Sequence, residues 1–120
     1  MRQRWYKLKR FLGISHSFSG DRAAMHNHTL CIECTVKLVG DDIIEYDKIE
    51  GIIDDCLAQY ENNYINDIVG FEENASIEHF GEILCYELDD KIKPYGYEMC
   101  RFEIGETPLR LYVITDELRE

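Results

Sequence analysis

Proline and tryptophan are scarce in this 120-residue chain, which has two prolines and one tryptophan, and long apolar runs are missing altogether. No segment approaches the roughly 20 apolar residues that a membrane-spanning helix needs, so a membrane partner is not expected. Repeats, linkers and low-complexity segments are also missing, and we therefore predict one domain over residues 1–120. This length is sufficient for a hydrophobic core.

The chain also has little that indicates an oxidising compartment. Its basic start is not followed by the apolar segment of about 7–15 residues that marks a signal peptide. The five cysteines are an odd number, which argues against a complete disulfide framework. We expect a cytoplasmic protein whose cysteines are mainly reduced.

Acidic residues are missing before Asp21, although the net charge of the whole chain is −11. A basic strand on an acidic body could favour self-association or bind an anion, but a solvated strand face is the simpler interpretation. The acidic remainder would repel a phosphate backbone, so nucleic acid is not an expected partner. The basic residues of this segment are Arg2, Arg4, Lys7, Lys9 and Arg10.

Alternating apolar residues predict two strands in the first third of the chain. In residues 4–18 one parity is shared by Tyr6, Leu8, Leu12, Ile14, His16 and Phe18. Residues 26–39 alternate again, with His26 and His28 in phase with the apolar side chains. This period of two is typical of a strand that buries one face.

The middle of the chain changes to a helical period. Apolar residues from Ile49 to Tyr60 recur at spacings of three and four, which predicts an amphipathic helix. After an irregular stretch the same spacing returns over residues 77–88, with Asn74 or Ser76 as the candidate N-cap.

The last third of the chain returns to strands. Pro94 and Gly96 end the helical region, and residues 97–106 and 109–115 are predicted strands around a turn at 105–108. The order ββααββ predicts an α+β domain with a four-stranded antiparallel sheet. Such a sheet has two open edges in a monomer, so we expect copies of the chain to close it.

Three of the four histidines form a candidate metal site. His26 and His28 lie on one face of the same predicted strand, with Cα atoms roughly 6.5–7 Å apart. His16 is in phase with the apolar face of the preceding strand and can supply a third ligand if the two strands pair. Imidazole nitrogen is a preferred ligand of Zn²⁺, and three protein ligands leave one coordination position open. We therefore predict zinc on these histidines, although an H-x-H pair alone is a weak signal.

The C-x-x-C pair of Cys31 and Cys34 is a weaker candidate for metal or redox chemistry. Residues three apart on a strand point to opposite faces, and Cys34 lies roughly 20 Å along the strand from His28. Buried thiols are the better interpretation. His79 falls in a predicted helix beside Glu78, and we expect it to face solvent.

Several segments, in order, resemble those of one family. LGISHSF and HNHTLCIECTVKL resemble its zinc-binding strands, the second with Asn27 where the family has glycine. The starts of its two helices are resembled by IIEYDKI and ASIE. The segment that connects its helices is resembled by YENNYIND, and its closing motif by EIGETP. The chain thus resembles, nearly end to end, the 6-pyruvoyl-tetrahydropterin synthase and 6-carboxytetrahydropterin synthase family of the tunnelling fold.

The resemblance implies a fold, an assembly and a ligand. It implies a ββααββ subunit, a barrel built by three subunits, often a hexamer of two stacked barrels, and active sites at subunit interfaces with zinc on the three histidines. Glu106 would hold a pterin-like ligand through a bidentate contact, and Thr107 would add a further contact. The structural alternative for Glu106 is an exposed acid in a turn.

Two catalytic positions depart from the family pattern. The proton-transfer cysteine that precedes the H-x-H pair is missing, and Arg22 occupies its position. Some relatives use glutamate there, whereas this loop has only Asp21. The family's Asp-His pair is replaced by Glu61 and Asn62, and an amide carries no titratable proton at neutral pH. Asp21, Glu61 or a zinc-bound hydroxide could therefore accept the proton, and Arg22 could hold an anionic group.

Three functions are open at this point. The first, which we favour, is a zinc-dependent lyase that acts on a pterin or a related heterocycle with altered catalytic residues. The second is a catalytically silent homologue that binds a pterin-like ligand or serves as an assembly subunit. The third is a zinc-stabilised structural protein without a small ligand.

Overall fold

Four strands and two helices make up the fold, in the predicted order ββααββ. The computed structural model describes residues 2–18, 20–40 and 43–116. Short 3₁₀ turns lie at Arg22–Ala24, Ile65–Asp67 and Lys93–Tyr95. The principal elements are β1 (Tyr6–His16), β2 (His26–Leu38), α1 (Tyr46–Ala58), α2 (Ile77–Ile92), β3 (Tyr97–Thr107) and β4 (Arg110–Thr115).

The strands form one antiparallel sheet in the order β1-β2-β3-β4. This arrangement confirms the predicted fold class. In the predicted N-cap region, the Ser76 side chain accepts a hydrogen bond from the His79 backbone N–H, so Ser76 rather than Asn74 caps α2.

The turn between β3 and β4 lies later in the chain than the sequence predicted. β3 continues through Thr107, and the turn is formed by Pro108 and Leu109. The Thr107 hydroxyl accepts a hydrogen bond from the Leu109 backbone N–H at 3.0 Å, which closes the turn from its first residue. Thr107 is paired with Arg110 across the turn, so a turn at 105–108 was wrong.

Both helices pack on one face of the sheet and cover its apolar side chains. The alternation along β1 and β2 directs every second residue toward the helices, as the period of two predicts. Complete burial of an aliphatic or aromatic side chain contributes about 1.5–3 kcal/mol each. The side chains of this core with at most 2% exposure include Leu12, Leu30, Ile32, Ile49, Ile53, Phe80, Leu84, Leu88, Phe102 and Ile104.

The opposite face of the sheet carries ion pairs. Lys7 of β1 lies 3.3 Å from Glu33 of β2 and 3.5 Å from Glu103 of β3, and Arg101 lies 3.4 Å from Glu103. The helix-side residue Arg10 contacts Asp54 of α1 at 2.7 Å. At least part of the basic N-terminal segment is therefore neutralised within the chain.

The outer edge of β1 is partly covered by the segment that follows α1. The backbone N–H of Asn62 donates to the Gly13 carbonyl at 2.7 Å, and the N–H of Ser15 donates to the Asn63 carbonyl at 3.0 Å. The edge of β1 is therefore covered from Gly13 onward, and only the part of the strand before Gly13 has an open edge. On the far side of the sheet, no strand of the described residues pairs with the outer edge of β4.

Two negative expectations can be compared with the structure. No helix in the described part of the chain has both the length and the hydropathy needed to cross a membrane. All five cysteines are free thiols in the structure.

Two helical glycines give a matched test of the packing. A Cβ on Gly81 of α2 would lie 2.8 Å from Cγ2 of the buried Ile104, whereas a Cβ on Gly51 of α1 would meet no atom within 4 Å. We expect Gly51→Ala to raise the free energy of unfolding by about 0.5–1 kcal/mol, because alanine is the better helix former. Gly81→Ala should lower it by roughly 1 kcal/mol or more, because overpacking outweighs the same gain.

Urea unfolding at one fixed protein concentration measures both changes. Equal stabilisation by the two substitutions would contradict the close approach of α2 to the sheet.

Candidate metal centre

The pairing of β1 with β2 brings the three histidines together. His16 is directly opposite His26 in the ladder, and His28 follows two residues further along the same face. The three imidazole rings have centroids 4.5–5.2 Å apart. The register explains this convergence, because a slip of one residue would turn one strand's histidines to the other face.

A carboxylate from β3 completes the cluster. The Oε2 atom of Glu106 lies 2.7 Å from Nε2 of His28 and 3.2 Å from Nε2 of His16. One potential ligand atom from each of the four residues lies within 4.8 Å of all the others. Three imidazoles and a carboxylate therefore face a common centre.

Backbone carbonyl groups fix the orientation of two of the rings. Nδ1 of His16 lies 2.7 Å from the carbonyl oxygen of Ala75, and Nδ1 of His26 lies 3.2 Å from that of Ala24. A carbonyl can only accept, so each Nδ1 carries the proton and each Nε2 is left with a lone pair. Metal-binding histidines commonly have this arrangement, which directs the lone pair at the ion.

The inner atoms of the cluster lack hydrogen-bond partners. Nε2 of His16 and Oε2 of Glu106 are buried and have none, although the two atoms are close. Burial lowers the pKa of His28, outweighing the raising effect of Glu106, and the other two histidines lower it further. Imidazole lone pairs next to a carboxylate oxygen repel each other, and a proton or a metal cation between them removes the repulsion. The four donors fit a divalent ion that accepts nitrogen and oxygen ligands, as Zn²⁺ does.

Asn66 holds the chain that follows His16. Its Oδ1 accepts a hydrogen bond from the Ser17 backbone N–H at 2.9 Å, and its Nδ2 donates to the Ser17 carbonyl at 2.9 Å. Nδ2 also lies 3.2 Å from the Glu72 carbonyl oxygen. Both Ser17 and Asn66 are buried, so these contacts replace water and fix the backbone beside the first histidine.

Asp21 and Arg22, both predicted as catalytic, have partners outside the cluster. The Asp21 carboxylate accepts a hydrogen bond from the Ala23 backbone N–H at 3.0 Å and caps a 3₁₀ turn. The Arg22 guanidinium contacts both carboxylate oxygens of Asp67 at 2.7 and 2.8 Å and lies 4.5 Å above the ring of Tyr64. Neither residue is one of the four clustered donors.

Glu61 contacts the edge of the sheet. Its Oε2 accepts a hydrogen bond from the Gly13 backbone N–H at 3.0 Å. Asn62, next to it, has a left-handed backbone with φ of 62°. The catalytic roles of Asp21, Arg22 and Glu61 stay predictions.

A cleft lies beside Glu106 and Thr107. Phe18 forms part of its wall and also approaches the rings of His16 and His26, with centroids 5.7 and 5.6 Å away. Glu78 belongs to the segment ASIE, so the motif indicated its neighbourhood, but strand periodicity gave no signal for the residues of β4. The wall residues that the sequence did not identify are Phe18, Ile77, Glu78, Arg110 and Tyr112.

The remaining histidine and the C-x-x-C pair lie outside the cluster. Cys31 and Cys34 are buried, as predicted, and burial raises the pKa of the Cys34 thiol to about 12. His79 is only half-exposed, and its Nε2 lies 3.1 Å from the Gly70 carbonyl oxygen. Its ring also packs at an angle against Phe71, so the expected solvent-facing position was only partly correct.

Comparison with known proteins agrees with this fold. The model of the 6-pyruvoyl tetrahydropterin synthase family matches residues 3–117. The chain belongs to this family. No curated protein matches the sequence significantly, so the family membership rests on the family model and is accompanied by structural likeness.

Solved structures share the fold at low sequence identity. The 6-pyruvoyl tetrahydropterin synthase of Caenorhabditis elegans is 12% identical with a TM-score of 0.73, and the match covers 96% of this chain and 98% of that one. The Plasmodium falciparum synthase is 12% identical with a TM-score of 0.63, covering 93% and 98%. An uncharacterised protein of Wolinella succinogenes is 13% identical with a TM-score of 0.58, covering 96% and 100%.

Asn66→Ala tests the support of the first histidine. We expect it to lower the free energy of unfolding by roughly 1–3 kcal/mol, because it leaves buried groups of Ser17 without partners. Asn63→Ala is the control, since Asn63 makes one exposed side-chain hydrogen bond, to the Gln59 carbonyl. Denaturant unfolding of both variants should separate them, and equal effects would contradict the role given to Asn66.

Proposed function

We propose that the protein is a zinc-dependent member of the 6-pyruvoyl-tetrahydropterin synthase family that acts as a lyase on a pterin or a related heterocycle, with altered catalytic residues. The observation that carries this proposal is the cluster of His16, His26, His28 and Glu106, in which Nε2 of His16 and Oε2 of Glu106 are buried without hydrogen-bond partners. When bound there, zinc would act as a Lewis acid that polarises ligand oxygens and makes neighbouring C–H bonds more acidic.

The cleft beside the cluster supports binding of a flat heterocycle. Glu106 is 29% exposed while its Oε2 is buried, so other atoms of this side chain reach solvent. A carboxylate at this position can accept hydrogen bonds from the adjacent N–H and NH₂ groups of a pterin. Phe18 and Ile77 add apolar walls to the cleft, and Thr107 lies next to Glu106 on the same strand.

The second candidate is a catalytically silent homologue that binds such a ligand or serves as an assembly subunit. The ion pair of Arg22 with Asp67 and the hydrogen bond of Glu61 to Gly13 favour it, because both groups already have partners within the chain. A purely structural zinc protein would keep the metal and bind no heterocycle. A cytoplasmic location stays a prediction.

Self-association is part of the proposal. The sheet is open at both ends, at β1 before Gly13 and along β4. Phe11 and Phe18 are 70% and 65% exposed, so they add apolar surface that a second copy of the chain could cover. A barrel closed by three copies, alone or stacked as a hexamer, would pair the strand edges and cover part of this surface.

The metal prediction tests the histidine cluster. The purified protein should bind one zinc ion per chain, and the double substitution His26→Ala and His28→Ala should abolish binding, because it removes two of the nitrogen donors. His79→Ala is the control, since this histidine is not part of the cluster. Metal analysis after dialysis measures the zinc content. Full retention of zinc in the double variant would contradict a site on these histidines, and Cys31 and Cys34 would then be the first alternative ligands to test.

The ligand prediction tests Glu106. Zinc-loaded protein should bind pterins in titration calorimetry, and Glu106→Gln should weaken binding by roughly 1.5–3 kcal/mol, because an NH₂ group would face the donors of the ligand. Turnover of dihydroneopterin triphosphate should be weak or absent, since the lost proton-transfer groups typically contribute about 10²–10⁴-fold.

Zinc content is measured on every sample, so that loss of ligand is not confused with loss of metal. Efficient turnover would show that another residue supplies the proton transfer, with Glu61 and Asp21 first to be substituted. Absence of pterin binding with zinc present would favour the structural function.

The assembly prediction tests the open sheet. We expect a trimer or hexamer at micromolar concentration, because unpaired strand edges are otherwise left in solvent. Light scattering gives the mass directly, and a monomer of 14.2 kDa would refute barrel closure.

A further inference from the structure

We propose that Glu106 is the fourth protein ligand of the metal when no small ligand is bound, so that the chain itself closes the coordination sphere. This inference rests on the proposed metal site and refines it. The family resemblance gives Glu106 a different role, contact with the heterocycle. The geometry points to the metal as the resting partner of this carboxylate.

The distances are those between ligands of one ion. For metal–nitrogen and metal–oxygen bonds of about 2.0–2.1 Å, neighbouring ligand atoms of a tetrahedral site are about 3.3 Å apart. Oε2 of Glu106 lies 3.2 Å from Nε2 of His16 and 2.7 Å from Nε2 of His28. Adjustments of less than about 1 Å therefore bring this oxygen into the first coordination sphere.

The surroundings of Oε2 give it no other stabilising partner. The atom is buried and makes no hydrogen bond. Within the described residues, no lysine or arginine forms an ion pair with Glu106, and its only ion-pair contacts are His16 and His28. A buried carboxylate oxygen without a donor is costly, and a metal ion shared with the imidazoles removes that cost.

The backbone of β3 holds this carboxylate in place. The ladder between β3 and β4 changes register between Ile104 and Thr107, which is the position of Glu106. A Cβ on Gly105 would lie 2.1 Å from the Arg110 carbonyl oxygen, so only glycine fits at the residue before Glu106. Such irregularities commonly redirect a side chain at a functional site. The carboxylate is therefore directed into the cluster by a local feature of the sheet.

A site closed by four protein ligands has a functional consequence. Zinc sites with four protein ligands are typical of structural metals, whereas catalytic sites keep an open position. With four protein ligands in place, a substrate oxygen would meet a closed coordination sphere until Glu106 left the metal. The same carboxylate would be drawn away by the N–H donors of a heterocycle in the cleft, so ligand recognition would open the metal.

Cobalt substitution tests the coordination directly. Co²⁺ replaces Zn²⁺ at such sites, and its visible spectrum depends on the number and type of ligands. We expect the spectrum of the wild-type Co²⁺ protein to be unchanged by added azide, because no coordination position is open. Glu106→Ala should bind Co²⁺ at least about tenfold more weakly, and its spectrum should change on addition of azide.

Glu78→Gln is the matched control. This glutamate lines the same cleft but does not belong to the cluster, so its variant should behave like the wild type. A wild-type spectrum that responds to azide as the alanine variant does would overturn the inference and leave the histidine site intact. Failure of the wild type to bind Co²⁺ or Zn²⁺ would overturn the metal site as well, so the two failures are distinguished by whether the wild type binds metal.

Discussion

The mutual approach of three imidazole nitrogens and one carboxylate oxygen is the constraint on which the functional end of this fold depends. It requires His16 directly opposite His26, which fixes the register of β1 and β2. It also requires the carbonyl of Ala75, just before α2, to accept the Nδ1 proton of His16. The segment between the helices therefore serves the site as well as the chain connection, and Asn66 ties that segment to the backbone beside the histidine.

Much of the fold could be predicted from the sequence because burial on one face imposes a period. The period of two placed the strands and, through their shared parity, identified the three histidines as one cluster. The position of Glu106 could not be obtained in this way, because it depends on the pairing of β3 with β2 and on the irregularity after Ile104. The late turn after β3 was also not predicted, since it depends on a side-chain hydrogen bond that the Thr107 hydroxyl accepts from the Leu109 backbone N–H.

The residues that depart from the family pattern make local contacts or adopt a particular backbone conformation in this chain. Arg22 is held by Asp67 and Tyr64, which form an ion pair and a cation–π contact with it. Asn62 has a left-handed backbone, a conformation that asparagine adopts more readily than most residues. Its neighbour Glu61 binds the backbone of Gly13, so this loop now covers a strand edge. Sequence motifs identified these positions, but a motif does not specify the partner that each side chain will have.

The metal site and the ligand cleft differ in how much of each one chain supplies. All four candidate metal ligands come from β1, β2 and β3 of the same chain, and the inner atoms of His16 and Glu106 are buried. The cleft is bordered by the exposed ring of Phe18, and β1 and β4 keep open edges. The open edge of β1, which ends before Gly13, is about as long as the six-residue β4. Under the proposed function, one chain would supply all four metal ligands, whereas a second copy would be needed to enclose the ligand.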